Sequence, residues 1–354
     1  MSDRIVHDLA EPILRTWASE SHLESTALLQ ENAMEWMFDN YINLMGYQNY
    51  KTKEFFLEII PRHDPAYDEK TLCSWVRCPF IEFYSISHNF VKNNFADILD
   101  YIIYTVEKGY NIYVKVIQKF LSVRMPSMYH SPFIYGFDKS KRILYVADHY
   151  DQGKYMRAEL GFDEFLRAYN FTYWDEDGCH LLDEGDDSVQ EREQIYIARP
   201  RAFKYKFNAD WFLLQLKDYL DSTYRLDSTA AVTEGTGYKR YFGIASYDLL
   251  TDYMDVLARG ESDIKDWRLF TMLCDHKKLF RLRMEFLRSK GICPVSDTEL
   301  ERFIWLSQMA EKVLGLFLKY LISKKSNVLQ EIKEDLSKMK EVEYKMLLAV
   351  QGSI

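Results

Sequence analysis

A chain of 354 residues, 47% hydrophobic and 28% charged, has room for two cores or for one core with a large extension, and this globular composition argues against wholesale disorder. A net charge of −9 with no basic patch of interleaved aromatics argues against nucleic acid as a partner. Five scattered cysteines, at 73, 78, 179, 274 and 293, do not indicate a disulfide framework; with no secretory signal and no apolar run approaching ~18 residues, the expectation is a cytoplasmic chain without a membrane span.

The first predicted element is a helix over residues 24–45, where Leu28, Leu29, Met34, Met37, Phe38, Tyr41 and Ile42 recur near helical spacing. A second runs from Val91 to Val106, with Gly109 as its stop. Asn111–Leu121 reads as a strand, and Pro132–Phe137 and Arg142–Asp148 as a hairpin about the turn Asp138–Lys141. Ile195–Phe207 reads as a further strand, after which Asn208 caps a helix from Ala209. Ahead of that strand, Asp175–Glu193 carries nine acidic residues and one basic one, as a solvated linker would. Beyond Tyr247 the pattern is helical, with a capping box at Ser296 and Glu299 and a final apolar stripe of Leu329, Ile332, Leu336, Met339, Val342 and Met346. The expected organisation is an α+β domain over 1–175, an acidic linker with a strand and a helix over 176–240, and a helical domain over 241–354.

Common catalytic signatures are missing: there is no glycine-rich phosphate loop, no His-Glu-x-x-His and no Gly-x-Ser-x-Gly. Gly235-Thr236-Gly237 lacks a third glycine and reads as a flexible loop. Cys73 and Cys78, with His63 and His88 nearby, have looser spacing than a structural zinc site, and Cys179-His180 has no third ligand. Neither a cofactor nor a metal is expected.

One pair has geometric content. A turn centred on residues 138–141 sets His130 opposite residue 149 and Ser131 opposite Asp148, so imidazole and carboxylate share one end of the hairpin. A carboxylate beside a histidine fixes its tautomer and stabilises the imidazolium, as a base requires.

The run Tyr129-His130-Ser131-Pro132-Phe133-Ile134-Tyr135-Gly136-Phe137-Asp138, then Ile143–Asp148 and Leu160–Phe165, resembles the His and Asp strands of bacteriocin-processing peptidase-like proteins, and most closely the butirosin biosynthesis protein H N-terminal family. Tyr241–Ile244 and Asp275–Arg283 extend the resemblance loosely into the helical half. It implies a papain-like fold with Cys, His and Asp in that chain order, and acyl transfer from a carrier-protein thioester to a small amine, as in natural-product amide formation. It implies His130 as base, Asp148 as its orienting acid, and an acyl or peptidyl carrier protein as partner. The nucleophile should begin the first core helix, yet Ser19–Leu28 contains no cysteine. Aligning the helix start puts Ser21 there, whereas aligning Ser25-Thr26-Ala27-Leu28 puts Leu23 there. Two further readings stand beside acyl transfer: an inactive papain-fold protein that binds a carrier domain, peptide or small product, and, third, a peptidase. Self-association is left open by the sequence.

Overall fold

A computed structural model describes residues 2–60, 75, 77–123, 129–150, 153–174, 194–223 and 237–354. In chain order the elements begin with β1 (Arg4–Val6), α1 (Ala18–Ala27), α2 (Ala33–Asn40), β2 (Asn43–Asn49), β3 (Phe55–Ile60), β4 (Ile81–Ser87), α3 (His88–Asn94) and α4 (Ile98–Glu107). There follow β5 (Asn111–Tyr113), β6 (Val116–Ile117), β7 (Tyr129–His130), β8 (Phe133–Asp138), β9 (Ile143–Tyr150), β10 (Lys154–Gly161), α5 (Phe162–Trp174) and β11 (Gln194–Pro200). The rest is α6 (Ala209–Leu220), β12 (Tyr238–Phe242), α7 (Ser246–Ala258), α8 (Arg268–Ser289), α9 (Asp297–Ser323) and α10 (Ser326–Gln351). The class is mixed α+β, with antiparallel sheets and a helical C-terminal half. No described helix is long and apolar enough to cross a membrane.

These elements form two units, each drawn from two stretches of chain: residues 1–33 with 68–204, and residues 34–67 with 205–354. The boundaries expected near 175 and 240 are corrected accordingly. Strand pairing is the reason. β2 pairs with β12, nearly two hundred positions on, and so the β2–β3 hairpin joins the helical unit, while β11 pairs with β4 and β5 and stays with the first. The acidic run, Cys179-His180, His63, Cys73 and Gly235-Thr236 lie outside the described residues.

In the first unit one antiparallel sheet has the order β10-β9-β8-β5-β11-β4, with β1 also on β8, while β6 and β7 form a separate two-stranded ribbon. α1 packs against β4, β9 and β11 and is buried from Ser21 to Ala27. α4 and α5 contribute Ile102, Val106 and Phe165 to a core shared with Ile134, Val146 and Leu160 of the sheet. Burying such side chains away from water is the main favourable term, about 1.5–3 kcal/mol each.

Several boundaries differ from those the periodicity predicts. The helix expected over 24–45 is two helices and the start of β2, because Asn32 takes a left-handed conformation (φ 65°) that interrupts it. The helix expected from Val91 to Val106 divides at Phe95, which is extended, and restarts where the Asp97 side chain accepts from the Asp100 N–H at 2.9 Å. The strand expected to reach Phe207 stops at Pro200, beyond which one more ladder bond, from the Arg201 N–H to the Phe80 carbonyl at 2.8 Å, closes the pairing with β4. Asn208 caps α6 as expected, accepting from the Trp211 N–H at 3.0 Å, and Ser296 with Glu299 forms the capping box of α9.

Gly136 holds β1 in place. It pairs with Val6, and a Cβ there would lie 2.5 Å from the Ile5 carbonyl oxygen and 2.9 Å from Val6 Cα, both backbone atoms that cannot rotate away. Gly136→Ala is expected to push β1 from β8 at a cost of about 1–3 kcal/mol, the range for overpacking, read as a lower denaturation midpoint. An unchanged midpoint would show that β1 contributes nothing to stability.

In the second unit β12-β2-β3 form the sheet, with α2 and α6–α10 as its helices. The end of α2 is held by side chains of α8. Arg283 donates to the carbonyls of Phe38 (2.5 Å) and Tyr41 (2.6 Å), acceptors that the helix end leaves unpaired, and His276 donates to that of Ile42 (2.9 Å) just beyond it. Burial pushes the Arg283 guanidinium down to about 9. In α10 the predicted stripe is buried at Leu329, Ile332, Leu336, Met339 and Met346, but so is Glu343 on its charged side.

Candidate functional site

Asp148 and His130 meet in the first unit by a route other than simple hairpin pairing. The observed register is Asp138↔Ile143 at the turn and Phe133↔Ala147 beyond a bulge at Tyr135, two and then one residue away from the expected register. Pro132 ends the ladder, and His130 belongs instead to β7, where it pairs with Val116. The side chains nonetheless come together: His130 Nδ1 lies 2.6 Å from Asp148 Oδ2.

All of Leu144–Tyr150 in β9 is buried, so Asp148 has no exposure, and its Oδ1 accepts the backbone N–H of His149 at 2.7 Å. Burial pushes this carboxyl upward, but the neighbouring charge and hydrogen bond of His130, together with His149, hold it well below the usual carboxylate range. An ionised Asp148 accepts from Nδ1–H, which leaves the lone pair of a neutral His130 on Nε2. The His130 side chain retains 21% exposure, so the imidazole is within reach of solvent and the carboxylate is not.

Two more histidines surround the pair. His149 is 5% exposed and donates Nε2–H to the Arg15 carbonyl at 2.6 Å, tying β9 to the segment that leads into α1. His22, in α1, stacks on Phe133 with ring centroids 4.8 Å apart, donates Nε2–H to the Ser131 carbonyl (3.0 Å) and accepts from the Tyr155 hydroxyl (3.1 Å). Burial pushes His22 down to about 3, so it is neutral at pH 7.

Ser21 is not brought to this pair by any hydrogen bond. α1 begins at Ala18 with Trp17 at its N-cap, which places Ser21 in the second turn instead of at the helix start. Its hydroxyl is buried and shares its one proton between the carbonyls of Leu14 (2.9 Å) and Trp17 (3.0 Å), the latter being the back-bonding that a helical serine adopts. The expected position of Ser21 at the helix start is corrected: it lies three residues inside α1, and its hydroxyl closes the loop before that helix. Leu23, the other aligned position, is a fully buried core residue. Cys78 precedes His130 in the chain, but burial pushes its thiol up to about 12, the opposite of what a reactive thiolate needs. His88, considered above beside Cys78, is buried against Tyr169 (2.7 Å) and stacks on Tyr173 (3.8 Å).

No family model matches the chain, and no curated protein matches it. The site is therefore defined by its own geometry: a buried carboxylate, a half-buried imidazole aligned on it, and His149, His22 and Tyr155 around them. Sequence reasoning missed those three. Strand alternation sends neighbours to opposite faces, so His149 beside Asp148 gave no signal, and its link to Arg15 joins positions 134 apart in the chain.

Proposed function

We propose that this chain is a papain-like acyltransferase that uses His130 as general base, moving an acyl group from a carrier-protein thioester to an amine in specialised-metabolite biosynthesis. The observation that carries the reading is the 2.6 Å bond from His130 Nδ1 to a fully buried Asp148. The resemblance of residues 129–148 to the His and Asp strands of the butirosin biosynthesis protein H N-terminal family supports the substrate class.

With the Ser21 hydroxyl committed to two carbonyls, the transfer is direct. The amine nitrogen attacks the thioester carbonyl as His130 Nε2 takes its proton. The tetrahedral intermediate then expels the thiolate, which receives that proton from the imidazolium, giving amide and free thiol. Asp148 stabilises the imidazolium between the two transfers. A second reading is favoured by the start of α1, where Trp17 and Ala18 supply no nucleophilic side chain: an inactive papain-fold protein that holds a carrier domain, peptide or small product.

The test uses an acyl-loaded carrier protein, a panel of amines, and mass spectrometry of both protein and product, with chelator present. His130→Ala is expected to lower amide formation by roughly 100-fold or more, the usual worth of a positioned base. Ser21→Ala should retain activity, with no acyl mass increment on Ser21 in the unmodified protein. A stable adduct on Ser21 would overturn direct transfer. Carrier binding with no turnover by the unmodified protein on any amine, and equal binding by His130→Ala, would select the inactive reading.

A further inference from the structure

General-base chemistry uses His130 and Asp148 and leaves His149 without a task. One ligand atom each from His130, Asp148 and His149 lie within 4.8 Å of one another. Because the Arg15 carbonyl can only accept, the proton of a neutral His149 sits on Nε2, and Nδ1 presents a lone pair. That lone pair is 3.8 Å from Asp148 Oδ1, with His149 5% exposed and Asp148 fully buried. With a neutral His149, two acceptors face each other across a gap with little water to separate them, an arrangement that a cation, whether a proton or a metal ion, relieves.

The surroundings are those of a metal-binding imidazole. A ligating histidine commonly donates its other ring N–H to a backbone carbonyl, which fixes both tautomer and ring plane, and His149 does this through Arg15. The ligands of a tetrahedral zinc ion, at about 2.0–2.2 Å from the metal, sit roughly 3.3 Å from one another, so small side-chain rotations bring these three atoms to ligand spacing. Two imidazoles and one carboxylate suit a divalent transition ion of the zinc type better than magnesium or calcium, which favour all-oxygen sets.

We infer that His130, Asp148 and His149 form a mononuclear site for a divalent transition metal ion of the zinc class, with its open position on the exposed side of His130. The inference rests on this geometry and not on the acyl-transfer reading. An ion held there displaces the proton between His130 and Asp148, so the metal-loaded site and the free base are alternative states of one pair of side chains.

The experiment is calorimetric titration of chelator-treated full-length protein with Zn²⁺, and optical titration with Co²⁺, in the absence of any acyl substrate. One equivalent is expected to bind, with visible d–d bands of a low-symmetry Co²⁺ site and no thiolate-to-cobalt charge transfer. His149→Ala leaves the His130–Asp148 pair intact and should weaken binding by roughly 100-fold, and Asp148→Asn should weaken it comparably. Absence of stoichiometric binding, a thiolate charge-transfer band, or unchanged affinity in both His149→Ala and His130→Ala overturns the site. If His149→Ala fails to fold, His149→Gln and the Co²⁺ spectrum of the unmodified protein decide the matter. Since no acyl substrate is present, failure here leaves the transfer assay, run in chelator, unaffected.

Discussion

Lys277→Met is expected to destabilise the helical unit by about 3–5 kcal/mol, the loss typical of breaking a buried ion pair from one side. Lys277 in α8 and Glu343 in α10 are both buried, and Nζ lies 2.7 and 2.6 Å from the two carboxylate oxygens. Nζ also donates to the Tyr219 hydroxyl and to His276 Nδ1, each at 3.1 Å, while Glu343 accepts from the hydroxyls of Tyr247 (2.6 Å) and Tyr219 (3.2 Å). Burial pushes the Lys277 ammonium down, and Glu343 holds it up. Methionine keeps most of the hydrocarbon stem but strands a buried carboxylate. Adding Glu343→Gln removes that charge while keeping an acceptor for the tyrosines. The double variant should therefore recover at least about 1 kcal/mol over Lys277→Met alone in urea denaturation. A double variant no more stable than the single would show that lost packing, and not the orphaned charge, sets the cost.

Acidification is expected to remove about 3–5 kcal/mol from the first unit between pH 6.5 and 4.5. His22 and His88 are buried there, and burial pushes each down to about 3. Unfolding returns them to an ordinary histidine value near 6.5. Below that pH the unfolded chain binds protons that the folded unit refuses. The stability is thus complete above about pH 6.5 and is lost as pH falls toward 3, at up to ~1.4 kcal/mol per pH unit for each histidine. His88→Gln should roughly halve the slope of stability against pH in this window, measured by denaturant titration at several pH values. A slope unaltered by His88→Gln would mean that this imidazole is not the titrating group.

The parts of the fold legible in the sequence were those decided locally. The caps at Asn208 and Ser296, the hairpin near Asp138–Lys141 and the stripe of α10 each depend on a few neighbouring residues, and each forms as the pattern predicts, the hairpin with its turn one residue further on. What local pattern could not supply was partnership at a distance. β2 has Asn43, Gly46 and Asn49 among its residues, poor strand formers, and becomes a strand because β12 and β3 lie on either side of it. Glu343 looks like one more charge on a solvated face until Lys277 is placed against it. At the candidate site the meeting of His130 and Asp148 was anticipated while its register was not, since the bulge at Tyr135 and the stop at Pro132 shift the strand, and a 2.6 Å bond is reached from β7. The placement of Ser21 at a helix start missed by a helix boundary, since α1 begins three residues earlier, at Ala18.

The interleaving of the two units also bears on the order in which a ribosome delivers them. The β2–β3 hairpin is complete by Ile60, yet β12 arrives at 238–242 and the last helix ends at Gln351. At about 5–20 residues per second, the nascent chain carries that hairpin, including Leu44, Leu57 and Ile59, for roughly 10–35 s before β12 has been synthesised. During most of this interval the first unit is itself unfinished, because β11 ends at Pro200. Synthesis therefore proceeds with an open strand edge near the N-terminus and its cover still untranslated, the kind of surface that holdase chaperones bind and that rapid overexpression turns into inclusion bodies.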